Sequence, residues 1–237
     1  MQAQLTRRFV RGFELASTFT WAGGTSNGIN QNNPLPSSVA RSRNDLIQKL
    51  VANFSYVVDL PRGSRLAPGP ISRWVLDNWQ ISGISTFATG QISNVSASFT
   101  DTFDFSGGGE TCGNIVQTGN AVLPRGERTV DRWFNTGVFQ RPSGRGDIGN
   151  NCNNAKFILP GFNNHDLSIF KNFPLRGEKQ MLQFRWEMYN AFNHTQFNAV
   201  NTGAQFNAAG AQTQVNFGKV TSARNERRMQ FSLRFTF

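Results

Sequence analysis

The chain is poor in several residue types at once, with 2 cysteines, 2 histidines and 2 tyrosines in 237 residues, set against 22 phenylalanines. Cys112 and Cys152 lie in a Gly/Asn-rich stretch, with no CxxC pair and no histidine cluster nearby. That spacing argues against a metal site and for a disulfide that closes the loop in an oxidising envelope. Nor is there any run approaching the roughly 18 apolar residues that a membrane helix requires. Any membrane insertion must therefore be by strands, whose alternation averages to polar, so the mean hydropathy of -0.40 excludes nothing. Also missing are a Gly-x-Ser-x-Gly elbow, an HExxH pair and a phosphate loop: Gly107-Gly108-Gly109 lacks the Lys-Ser/Thr and the helix that would follow. His165 and His194 each precede a polar residue at a strand end, which reads as surface placement. No catalytic residue, metal ligand or cofactor site is assigned, and the chain is read as no enzyme. Met1 to Val10 contains no apolar core of a signal peptide, so either the chain is not exported or its true start lies upstream.

What is present is alternation. Residues 229–237 place Met229, Phe231, Leu233, Phe235 and Phe237 on one face and Gln230, Ser232, Arg234 and Thr236 on the other. Residues 180–192 repeat the pattern with Leu182, Phe184, Trp186 and Met188 opposite Gln183, Arg185 and Glu187. Further strands are predicted over 166–173, 50–60, 11–21 and, with a less regular phase, from Trp79 to about Val95. Lys171 falls on an apolar face close to a turn, where it can snorkel. Polar residues sharing a face, Arg185 with Glu187 and Asp166 with Asn172, suit pairing across strands and help exclude a slipped register.

The connections alternate in length. Residues 22–45, 98–162 and 194–225 are long and rich in Gly, Asn, Ser and Thr, whereas 61–70 and 174–179 are short. Long unstructured loops are uncommon in compact soluble domains, while long outer loops alternating with short periplasmic turns are the layout of an outer-membrane barrel. The expected fold is all-β, an antiparallel up-and-down transmembrane β-barrel segment of about six strands. Because known single-chain barrels begin at about eight strands, and an open sheet in lipid has unpaired edges, the pattern predicts a piece of a larger barrel.

The formal charge of +10, with arginines greatly outnumbering lysines, suits either a polyanion partner or a wet lumen and anionic lipid headgroups. The arginines are scattered on polar strand faces and in long loops, with no basic helix, and aromatics and arginines mostly occupy opposite faces. A nucleic-acid-binding sheet would carry both on one face, so no nucleic acid is expected as a partner.

The segments Asp131-Arg-Trp-Phe-Asn135, Pro160 to Phe173, Gln183 to Phe197 and Phe217 to Arg224, followed by the terminal strand with Phe237 last, resemble the C-terminal end of TonB-dependent outer-membrane receptors. More narrowly, they resemble the Oar-like branch, whose members carry a carboxypeptidase-regulatory-like domain and abound in acidobacteria. The likeness is strong over 131–237 and thinner upstream, where Gly12 to Trp21 and Tyr56 to Pro61 fit. The resemblance implies a plugged barrel of about 22 strands in the bacterial outer membrane. Residues 1–237 would be its C-terminal part, without plug and N-terminal strands, and it would take up bulky ligands. Expected partners are outer-membrane lipid, the barrel assembly machinery, the rest of the receptor and, only through the N-terminal region, the TonB complex. Met229, Phe231, Leu233, Phe235 and Phe237 match the membrane-assembly signal. Trp133, Phe134 and Phe139 are either ligand contacts in a loop or packing of that loop on the rim, two roles the sequence leaves even. A passive pore assembled from several chains is the alternative.

Overall fold

A computed structural model describes residues 1–23, 48–101, 103, 115–144, 147, 157–176 and 180–237. In chain order the elements are β1 (Gln2–Val10), β2 (Phe13–Trp21), β3 (Leu50–Asp59), α1 (Pro70–Leu76), β4 (Trp79–Ala88), β5 (Ile92–Ser93), β6 (Ser96–Phe99), β7 (Val116–Gln117), β8 (Phe139–Gln140), β9 (Phe157–Ile158), β10 (Phe162–Arg176), β11 (Gln180–Tyr189), β12 (Phe197–Val200), β13 (Gly203–Phe206), β14 (Val220–Ala223) and β15 (Arg228–Thr236). Cys112, Cys152 and the three glycines at 107–109 lie outside the described residues.

Seven long strands form one sheet in the order β1-β2-β3-β4-β10-β11-β15, with every neighbouring pair antiparallel. Taken among themselves these strands form an up-and-down meander. Its register keeps like with like. Phe13, Val58, Ile81, Ile169, Trp186 and Phe231 are successive partners across six strands, a wholly apolar row. On the opposite face Thr18, Asn53, Thr86 and Asn164 form one polar row, and Asn172, Gln183 and Arg234 another. Since side chains alternate with period two, a slip of one residue would exchange the faces throughout a strand.

Among the described residues the sheet has seven long strands, against the expectation of about six. The added one is β1, where the periodic signal is weak because Arg7 sits among the apolar positions, opposite Leu15, with its guanidinium 5.3 Å from the Phe13 ring centroid. β1 turns into β2 through Arg11 and Gly12, both with positive φ (54° and 78°), the signature of a two-residue type I′ hairpin. This adds a tight hairpin at the end that already carries the β3–β4 connection. β4 ends at Ala88 instead of near Val95. There Gly90 meets the chain after β9 so closely that a Cβ would stand 1.6 Å from the Leu159 carbonyl oxygen.

Lys171 does not snorkel. It is 1% exposed, its Nζ donates to the Asp77 carbonyl, and the rings of Trp79 and Phe173 lie 5.5 and 5.0 Å away. His165 is half-buried rather than on the open surface. It faces the apolar side, where Nδ1 shares a 2.8 Å hydrogen bond with Ser85 Oγ and the ring meets Phe87 and Phe192 edge-on.

At the other end the described parts of the connections between β4 and β10 and between β11 and β15 build a body with its own core. Short pairs hold it: β5 with β9, β6 parallel to β13, β7 with β8, and β12 with β14. Val95, Ile115, Phe134, Phe139, Phe157, Phe206 and Phe217 are buried there together, with the Phe134 and Phe157 rings stacked 4.1 Å apart. Arg141 fastens this body by a two-pronged pair with Asp101 (2.9 and 2.6 Å), a bond to the Asn207 carbonyl and ring contacts to Phe99 and Phe103. The Arg141 guanidinium holds the Asp101 carboxyl below the usual carboxylate range, and Asp101 in return raises Arg141.

Candidate functional site

The polar face of the sheet is organised by pairs. Asn172 and Gln183 bond across β10 and β11 at 2.9 Å, and Asp59 accepts from Gln80 across β3 and β4 at 2.8 Å. Glu187, 8% exposed, accepts from Arg185 on its own strand and from Gln230 on β15. Arg185 also lies over Phe170, its partner on β10, at 5.0 Å. A carboxylate with so little exposed surface is tolerated because two donors occupy it.

Where this face meets the folded connections, a cavity of about 450 Å³ opens between the ends of β10, β11 and β15 and the chain from 190 to 228. Asp166 is its hub. Oδ1 accepts from Asn164 Nδ2 (2.8 Å) and from the Asn190 backbone N–H (2.9 Å). Asn190 ends β11 in the left-handed region (φ 50°), which turns its amide onto the His194 and Asn225 carbonyls, both at 3.2 Å. Asn and Asp tolerate that conformation better than other side chains. Gln196, 4% exposed, donates to Asn164 at 3.3 Å, and its Oε1 has no partner among the described residues. Arg224 lies 3.9 Å from the centroid of the Phe162 ring. Glu226 pairs with Arg228 at 3.3 Å, and its carboxyl sits below the usual range through a hydrogen bond from its own backbone and then through Arg228.

This lining offers carboxylates, amides, guanidinium groups and the aromatic Phe162 and Tyr189 to a ligand. It holds no nucleophile and base in hydrogen-bonding order, and among the described residues no three His, Cys, Asp or Glu side chains gather as a metal group. The arrangement offers hydrogen-bonding and charged groups to a polar ligand.

Of the residues singled out in the sequence, Met229, Phe231, Leu233 and Phe235 share the exposed apolar face of β15, and Phe237 follows it, 91% exposed. Phe134 and Phe139 are core residues of the folded connections, 0% and 4% exposed, so packing rather than ligand contact describes them. Trp133 is half-buried; its Nε1 donates to the Ile158 carbonyl at 2.8 Å and its ring meets Phe197 and Arg128. None of the three lines the cavity. Asn190, Gln196 and Glu226 escaped sequence reading, since polar residues in aperiodic segments carry no spacing signal, and Asn164 escaped it because β10 begins at Phe162, ahead of the expected 166. Only the presence of Asp166 on a polar strand face pointed there.

No curated protein and no solved structure matches the chain. The family model described as an outer membrane beta barrel domain matches residues 1–230, all of the sheet except the greater part of β15 after Gln230. An antiparallel meander with an exposed apolar face, a paired polar face and long connections gathered at one end is what such a domain requires, and the chain belongs to that family and resides in the outer membrane.

Proposed function

We propose that the chain forms the C-terminal barrel segment of a TonB-dependent outer-membrane receptor of the Oar-like kind, a binding and transport protein for bulky ligands with no enzymatic activity. The observation that carries this reading is the cavity at the junction of the polar face and the folded connections. Its lining of opposed charges and amides, with Gln196 Oε1 unpartnered among the described residues, suits the capture of a polar ligand group, which a passive pore does not need. The resemblance over residues 131–237 supports the narrower family. In this role the polar face is part of the lumen wall and the apolar face touches lipid. The rest of the receptor supplies further strands and the plug, the assembly machinery inserts the chain, and coupling to the TonB complex runs through the N-terminal region.

One observation favours the alternative of a pore built from several chains. Among the described residues β1 and β15 each pair on one side only, so the edges can accept strands from another copy. The genomic DNA upstream of the Met1 codon tests the two. Coding sequence for a plug and a TonB box is expected. A stop codon with an export signal directly before Met1 would remove the receptor reading and favour the assembled pore.

A further inference from the structure

The connection from β3 to β4 carries chemistry that neither the lumen nor the cavity uses. Its ends are tied by Asp77, whose carboxylate takes the Ser64 N–H (2.9 Å) and hydroxyl (2.7 Å), bonds that keep its carboxyl below the usual range. Its helix α1 is then pinned to the sheet. Trp74 packs on Phe173 at 4.7 Å, Trp79 Nε1 donates to the Val75 carbonyl at 2.8 Å, Asn172 N–H donates to the Asn78 carbonyl at 3.1 Å, and buried Lys171 Nζ takes the Asp77 carbonyl. Phe173 belongs to the apolar face, in register with Leu182 and Phe235, so α1 continues that face beyond the strands.

Pinned in this way, the connection turns its apolar side chains outward. Leu66 is 93% exposed, Ile71 78% and Trp74 53%. A helix that buried them against protein would be the ordinary outcome in water. Among them stand Arg62, Arg65 and Arg73, all exposed, and no ion pair joins any of them to a carboxylate among the described residues. Exposed apolar residues mixed with exposed cations, continuous with a lipid-facing sheet, form a surface for the acyl-headgroup boundary. Cations at that level attract anionic headgroups.

We propose that residues 60–78 form a binding site for anionic phospholipid in the leaflet on the short-connection side, with Leu66, Ile71 and Trp74 among acyl chains and Arg62, Arg65 and Arg73 on headgroup phosphates. The site rests on the membrane location alone, not on the transport reading.

The full chain reconstituted in vesicles tests it, with Trp74 fluorescence isolated as the difference between wild type and Trp74→Phe. Phosphatidylglycerol and phosphatidylcholine brominated near the carbonyl serve as quenchers. Trp74 is expected to be quenched from the bilayer, with phosphatidylglycerol preferred several-fold, and the combined variant Arg62→Gln, Arg65→Gln, Arg73→Gln is expected to lose that preference, the two lipids then quenching alike. Equal quenching of wild type by the two lipids would overturn the anionic site. Quenching by aqueous acrylamide with none from either lipid would overturn the membrane contact altogether.

Discussion

Phe134 and Phe231 carry the same ring into opposite surroundings. Phe134 is wholly buried in the body made by the long connections, stacked on Phe157 and edge-on to Phe217. Phe231 stands 64% exposed on β15 above Trp186, and around it the sheet leaves whole apolar rows uncovered. One region follows the rule for water, apolar inside and polar outside; the other pairs its polar residues on one face and presents its apolar ones outward. Composition cannot distinguish these two uses of phenylalanine. The difference teaches that this chain is built for two solvents, with the long connections supplying a core of their own outside the bilayer while lipid does for the sheet what a core would otherwise do.

The strongest way to break the comparison is to remove a ring from the buried side. Phe134→Ala is expected to cost the folded connections about 3–5 kcal/mol, the usual range for emptying a core position. Hydrogen exchange should show the loss at amides such as Asn135 and Thr118, bonded to Ala121 and Val138, and not between β11 and β15. Loss spread evenly through the sheet would merge the two regions into one cooperative unit.

On the exposed side the contrast is between adjacent residues. Phe231→Arg is expected to destabilise the chain in phospholipid vesicles by about 2–4 kcal/mol, and Ser232→Arg by close to nothing, because only the first puts a cation into hydrocarbon. Denaturant unfolding from vesicles measures both. Equal costs would mean that the two faces do not meet different media.

A smaller effect sharpens the comparison within the sheet. Gly83 lies under Tyr56 and Leu167, and a Cβ there would stand 2.6 Å from the Tyr56 hydroxyl and 2.8 Å from Leu167. Gly83→Ala is therefore expected to cost about 1–3 kcal/mol, an overpacking penalty on a face that otherwise tolerates bulk. Unfolding of Gly83→Ala together with Tyr56→Phe, which removes the nearest atom, should recover part of the loss.

The smallest expected effect is an acid transition confined to the folded connections. The folded Asp101 carboxyl is depressed by Arg141, so its contribution is fully present at neutral pH and is lost as pH falls through the range below about 4. Asp101→Asn should flatten that part of the pH profile, read from Trp133 fluorescence between pH 5 and pH 2, roughly the span over which such a group titrates. An unchanged profile would assign the acid response to other carboxylates.

Much of the sheet was legible because alternation and register obey one rule. The apolar sets of β2, β3, β11 and β15 could be read off as spaced, and the short and long connections set the order of the strands. β1 was not legible, since Arg7 interrupts its apolar positions and finds relief only over the ring of Phe13. The fold of residues 92–99, 115–144 and 196–223 was not legible either. Its strands are two to four residues long, too short to show a period, and they pair across great distances in the chain, as β6 does with β13. Asp166 was visible as a polar strand residue, and Asn164 shares its strand, but Asn190 and, through Asn164, Gln196 come from the connection after β11.

By itself the sequence determined that the chain has strands with one apolar and one polar face, joined by alternately short and long connections, and with that its kinship to outer-membrane barrels. These follow from local chemistry, because the two-residue repeat of a strand writes the environment of each face directly into the order of residues. Only the tertiary structure decided which phenylalanines are buried and which meet lipid, that Lys171 holds the end of α1 instead of reaching for water, and that Asp166 and Gln196 border one cavity. Each of these depends on contacts between residues far apart in the chain, whose geometry no local pattern encodes.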